Sequence, residues 1–224
     1  MRVLTIVGSV FLTLQIAFAE SRGPISLSFT PKPAVLTSKD PRKFNDLDKA
    51  YLDAFVILRE DNECSRLYGG LNAIEALDEL VRMLRPTHLD RTIALRMSGP
   101  TTMIANGRTG FSFRIFEKAE VNLNGSFYRG NTLSNVRVPF VANYQPNTRK
   151  SRLALLLHEL GHLVRGADKK WVLADDGHDA DLSLKNTDYV VDVCRDQIEF
   201  VTRMTVAQQL EEPHSTIAQT TTQP

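Results

Sequence analysis

The chain has no dense block of lysine or arginine. Its 27 basic residues meet 26 acidic ones, leaving a formal charge of +1. An electrostatic footprint for nucleic acid or for an anionic membrane surface is therefore missing, and neither is expected as a partner. No internal repeat occurs, and twelve glycines and ten prolines are unremarkable in 224 residues, which excludes a fibrous reading. No apolar run reaches the roughly 20 residues that a spanning helix needs. Cysteine is scarce: only Cys64 and Cys194 occur.

What is present is an ordinary globular composition, 42% hydrophobic and 24% charged, at a length that suits one domain with a sizeable core. The N-terminus carries a basic Arg2, a mostly apolar stretch over residues 3–19 interrupted by Gln15, and Ala17-Phe18-Ala19 before Glu20. Small residues at that spacing form a signal-peptidase site, so residues 1–19 read as a cleaved signal peptide. An exported protein follows, periplasmic or secreted, with no stable membrane anchor after cleavage. In such an oxidising compartment Cys64 and Cys194 are expected to pair, with two free buried thiols as the alternative. A bond closing so long a loop contributes roughly 4–5 kcal/mol through chain entropy.

Residues 20–44 are rich in Pro, Ser, Thr and Lys and predict an extended lead-in. Residues 46–58 predict a helix. Residues 65–84 predict a second, because Leu67, Leu71, Ile74, Leu77, Val81 and Leu84 recur every three or four positions before Pro86 stops the run. Strand-like pieces follow: residues 92–97, ended by Ser98-Gly99-Pro100; residues 111–116, with Phe111, Phe113 and Ile115 on one face; residues 120–128, interrupted by Asn124-Gly125; and residues 137–141. Residues 148–164 predict a buried helix, apolar almost all round from Leu153 to Leu157, with Gly166 placed to cap it. Asp181-Leu182-Ser183 is a candidate N-cap for a last helix reaching Met204, its core at Val190, Val193, Ile198 and Val201. Residues 206–224 are polar and predict a disordered tail. Helix, then strands, then helices gives α+β, with the domain over residues 45–205.

Within the buried helix, His158-Glu159-Leu160-Gly161-His162 reads H-E-x-x-H. Residues four apart share one helix face, so two imidazoles can reach one metal ion while Glu159 takes a proton from a metal-bound water. Zn2+ accepts such nitrogen donors and keeps a position open for water. Gly161 leaves room on this helix for a neighbouring strand. The opposing reading is a buried helix whose histidines are satisfied by core hydrogen bonds.

The segment LLLHELGHLV resembles the active-site helix of the zincin metallopeptidases. The stretch from Trp171 to about residue 198 resembles that of uncharacterised exported bacterial proteins with the same helix. The resemblance implies a zincin-like fold, with a small mixed sheet packed on the active-site helix and additional helices. It also implies a catalytic zinc at His158 and His162 and Glu159 as general base. It implies nothing firm about substrate, and a peptide or protein is the substrate that the peptidase hypothesis expects. A third ligand is open. Asp168 falls at the metzincin ligand position, although Arg165 occupies the glycine position of that pattern. The run from Asp175 to Asp179 offers Asp176 and His178, and a gluzincin-like arrangement draws on Asp188, Asp192 or Glu199. In zincins an edge strand above the active helix pairs with an extended substrate, and residues 120–128 are the candidate here. Two alternatives stand beside the peptidase. One is a deformylase-like hydrolase with Cys64 as ligand. The other is a non-catalytic protein, either zinc-stabilised or a degenerate peptidase kept for binding.

Overall fold

In the computed structural model, which describes residues 33–37, 45–105, 110–130, 138–166, 168–177 and 179–211, the first helix is α1 (Asp46–Arg59). The expected signal peptide, and the lead-in apart from residues 33–37, lie outside the described residues. Asn45 starts α1 through a capping box with Asp48. Every residue from Ala50 to Leu58 is buried, including Asp53, so α1 runs through the core rather than along a surface. The described piece of the lead-in, residues 33–37, is tied to it. Ala34 N donates to Tyr51 Oη, and Thr37 N donates to Asp48.

The single helix expected over residues 65–84 is in fact two. Helix α2 (Glu63–Tyr68) ends at Gly69, whose φ of +90° is a left-handed cap, and α3 (Ala73–Met83) begins after a 3-10 turn. The break puts Leu71 in the turn, 53% exposed, whereas Ile74, Leu77 and Val81 of α3 are buried as the periodicity predicts. Pro86 does not mark a loop. It lies in strand β1 (Leu84–Thr87), at the edge of the sheet, where a missing N–H is tolerated.

The sheet has three strands in the order β1-β3-β2, with β1 parallel and β2 antiparallel to the central β3. Strand β2 (Leu95–Ala105) runs straight through Ser98-Gly99-Pro100, which the sequence suggested as its end. Those residues form a bulge opposite Glu117, with Gly99 at φ +87°. Strand β3 (Ser112–Asn122) absorbs residues 112–116 of one expected strand and the start of the segment expected to be another. The chain beyond it turns at Asn124-Gly125, so residues 120–128 are no independent edge strand. Residues 138–141 form no strand either; Val141 makes only an isolated bridge to Tyr144.

Helix α4 (Arg149–Leu163) is capped by Thr148 and Ser151 and is buried over nearly its whole length. Gly166 does not cap it: Val164 is already extended and bridges Phe113 of β3. Helix α5 (Ala180–Val201) starts two residues earlier than expected, because Asp179 is the N-cap and accepts from Asp181 N and Leu182 N. Its buried stripe is Val190, Val191, Cys194, Ile198 and Val201, with Val193 only half-buried. The disulfide joins Cys64 of α2 to Cys194 of α5. Residues 206–210, expected in the disordered tail, form a short helix α6 (Val206–Leu210). It is held because Gln209 is fully buried and donates to Asp53. Arg149 makes two bonds to that same Asp53 carboxylate, 2.8 and 2.6 Å, and two more to the carbonyls of Thr202 and Met204, binding α1, α4 and the end of α5 together.

The described residues belong to one unit spanning Pro31–Pro224, with α helices and a small mixed sheet, an α+β arrangement. Among them no helix is long and apolar enough to cross a membrane.

Candidate metal centre

After α4 the chain reverses and runs back along the helix it has just left. Arg165 bridges Trp171, Val172 N donates to Val164 O, and Leu173 N donates to Gly161 O at 3.0 Å. Gly161 makes this approach possible: a Cβ there would sit 2.6 Å from Leu173 Cγ. The neighbour for which Gly161 leaves room is thus the chain's own return segment, not a strand of the sheet. The return carries Asp176 back to the two histidines.

Nε2 of His158 and Nε2 of His162 lie 3.1 Å apart. Asp176 Oδ2 lies 3.1 Å from the first and 3.5 Å from the second. Three donor atoms of three residues therefore converge on one point. A tetrahedral zinc with bonds of about 2.0–2.1 Å holds its ligand atoms roughly 3.3–3.4 Å apart, so the observed spacings lie within about 0.3 Å of those such an ion takes. Two imidazoles and a carboxylate also suit iron(II), and the donor set alone does not choose between them.

Of the other third-ligand candidates, Asp168 is exposed and accepts from Lys170 N. Asp188 and Asp192 are exposed, the latter paired with Arg195, and Glu199 is paired with Lys150. None of these four is in the cluster, whereas Asp176 is. His178 lies outside the described residues. Cys64 is committed to its disulfide and has no thiolate to offer, which removes the deformylase-like arrangement.

The carboxylates of Glu159, Asp175 and Asp176 surround His162. Burial alone would raise the Asp176 pKa, but hydrogen bonds from His158 and His162 outweigh it and hold the carboxyl far below the usual range. For His162, burial opposes the charged form, yet the Asp176 hydrogen bond and the charges of Glu159, Asp176 and Asp175 prevail and raise its pKa. Burial pushes the Glu159 carboxyl upward, against the pull of both histidines. Nδ1 of His162 is buried with no hydrogen-bond partner among the described residues.

His158, Glu159, His162 and Asp176 line a cavity of about 570 Å³. Its far wall is the start of β2 with Phe140, and Leu184 of α5 closes another side; both of these apolar side chains are 52% exposed. Among the described lining residues the only Lys or Arg is Arg96, which is bound to Glu120 at 2.7 Å.

Two supports for the histidines were invisible in the sequence. His162 is held through its backbone, because Arg114 Nε donates to His162 O at 2.6 Å while the guanidinium stacks on Trp171, 4.3 Å from the ring centroid. His158 is held through its ring, with Nδ1 2.9 Å from Thr187 Oγ1. Neither Arg114 nor Thr187 belongs to a spacing pattern, and only the fold brings them to α4. Compared with known protein families, with curated proteins and with solved structures, the chain matches none.

Proposed function

We propose that this protein is an exported zinc-dependent hydrolase of zincin-like design, most simply a metallopeptidase, with His158, His162 and Asp176 as ligands and Glu159 as general base. The observation that carries the reading is the convergence of those three donors in a cavity that Glu159 also lines. A zinc ion bound there would supply Lewis acidity, lowering the pKa of a coordinated water to about 7. Glu159 is suited to receive that water's proton. It is 7% exposed, its pKa is raised by burial, and it is adjacent in sequence to a ligand without belonging to the donor cluster.

The substrate-pairing edge shifts from the segment first considered to β2. Strand β3 is covered on both sides, by β1 and β2, while among the described residues β2 has only β3 as a neighbour. Asn122 N donates to Ala94 O, so by antiparallel alternation the backbone groups of Leu95 and Met97 point to the free edge beside the cavity. An extended peptide can pair there with its scissile carbonyl directed at the cluster. The disulfide supports an oxidising destination.

The non-catalytic alternative is less well served. A structural zinc fills four protein positions, and this cluster offers three beside an open cavity. The test is Glu159→Gln, assayed for zinc content and for cleavage of a peptide library. Zinc at one per chain with cleavage lost supports the peptidase. Undiminished cleavage refutes the role of Glu159, and zinc without cleavage in the wild type favours a binding protein.

A further inference from the structure

We propose that Thr187 is a positioning residue for this cluster: its hydroxyl fixes a proton on Nδ1 of His158 and so aims a bare Nε2 lone pair at the point where the donors meet. The inference rests on the metal-binding reading above and deepens it.

A threonine hydroxyl has one hydrogen to give. In α5 that hydrogen goes to Ser183 O, which accepts from Thr187 Oγ1 at 2.8 Å, one turn back. Toward His158 the same oxygen can then only accept, and the imidazole must bring the hydrogen to the 2.9 Å contact at Nδ1. Once Nδ1 carries the proton, Nε2 of the neutral ring is a lone pair. That is the atom lying 3.1 Å from the Asp176 carboxylate and 3.1 Å from His162 Nε2. A lone pair facing a carboxylate at that distance is repulsive; a metal ion between them, or in its absence a proton on Nε2 donated to Asp176, makes the contact attractive. Metal-bound histidines are oriented through their second ring nitrogen in this way, which also raises their basicity.

The neighbouring residue supports the third donor. Asn186 Nδ2 donates to Ala174 O at 3.0 Å and lies 3.5 Å from Asp176 Oδ2. Two adjacent residues of α5 therefore hold a ligand of α4 and the loop bearing Asp176 in one frame. Cys194, two turns further along α5, anchors that frame to α2 through the disulfide. Thr187 is 7% exposed, and valine reproduces its shape without the acceptor.

The test measures zinc affinity by chelator competition for the wild type, Thr187→Val and Thr187→Ser, with nitrogen-15 NMR of the histidine rings in the metal-free wild type. Thr187→Val is expected to weaken zinc binding about 10- to 100-fold, while Thr187→Ser stays within roughly threefold of wild type. Nδ1 of His158 is expected to be protonated in the metal-free wild type. Zinc bound by Thr187→Val as tightly as by wild type overturns the proposal, as does a bare Nδ1 in the wild type. A wild type that takes up no zinc overturns the metal reading and the positioning role together. Tight wild-type binding that Thr187→Val leaves unchanged overturns the positioning role alone.

Discussion

Asp53 and Asp176 each anchor a polar cluster in this molecule, the first fully buried and the second partly so, and their surroundings differ in kind. Asp53 is fully buried and meets Arg149 through two bonds and Gln209 through another. Donors meet an acceptor, charge meets opposite charge, and nothing is left for a ligand. Asp176 faces two histidine nitrogens and shares its cavity with a second carboxylate, Glu159, and among the described residues no Lys or Arg is bound to it. The first cluster closes on itself and ties α1, α4 and α6 together. The second is rich in acceptors and opens to a cavity, and in the proposed reading a cation would complete it. Burial of charge alone thus says little about function; whether the cluster is self-sufficient says more.

The comparison can be broken most forcefully at Glu159. Glu159→Gln is expected to lower peptide turnover by about 10²- to 10⁴-fold with zinc content unchanged, read from steady-state rates beside metal analysis. Next in size, Asp53→Ala leaves the Arg149 guanidinium unpaired and is expected to cost about 3 kcal/mol or more in urea unfolding. Its zinc affinity should match wild type, because Asp53 is not a member of the metal cluster. An equal loss of zinc affinity would erase the distinction between the two clusters.

The same contrast explains what could be read from the amino acids alone. The Asp53 cluster gave no sign, since Asp53, Arg149 and Gln209 lie up to 156 positions apart with no spacing to link them. Helix α4 was legible, because Thr148, the leucine run and the four-residue step between the histidines are all local signals. Asp176 could be named only as one candidate among several. It reaches the histidines through the chain reversal after Val164, and a reversal has no period. Gly161 hinted at a close neighbour, but not that the neighbour would be Leu173. The Gly69-Gly70 break was present in the sequence and was overridden by a leucine periodicity that continues across it. Ser98-Gly99-Pro100 has turn chemistry, and pairing with β3 turns it into a bulge instead.

Two smaller effects sharpen the account. Saturating zinc at about 100 times its dissociation constant is expected to stabilise the wild type by roughly 2.7 kcal/mol in thermal unfolding. Asp176→Ala should lose most of that gain, whereas Asp168→Ala should keep it, which separates the two carboxylates once considered for the same role. Gly161→Ala forces a Cβ against Leu173 and is expected to destabilise by about 1–3 kcal/mol. It should also weaken zinc binding, because the displaced segment carries Asp176. Stability lost with zinc affinity unchanged would mean that the return segment does not set the position of that ligand.

The most direct test is an anomalous difference map recorded at the zinc absorption edge from crystals of the zinc-loaded protein. The account predicts a single peak about 2.0–2.2 Å from Nε2 of His158, Nε2 of His162 and an oxygen of Asp176. No peak at that point, or a peak held by other residues, would contradict it.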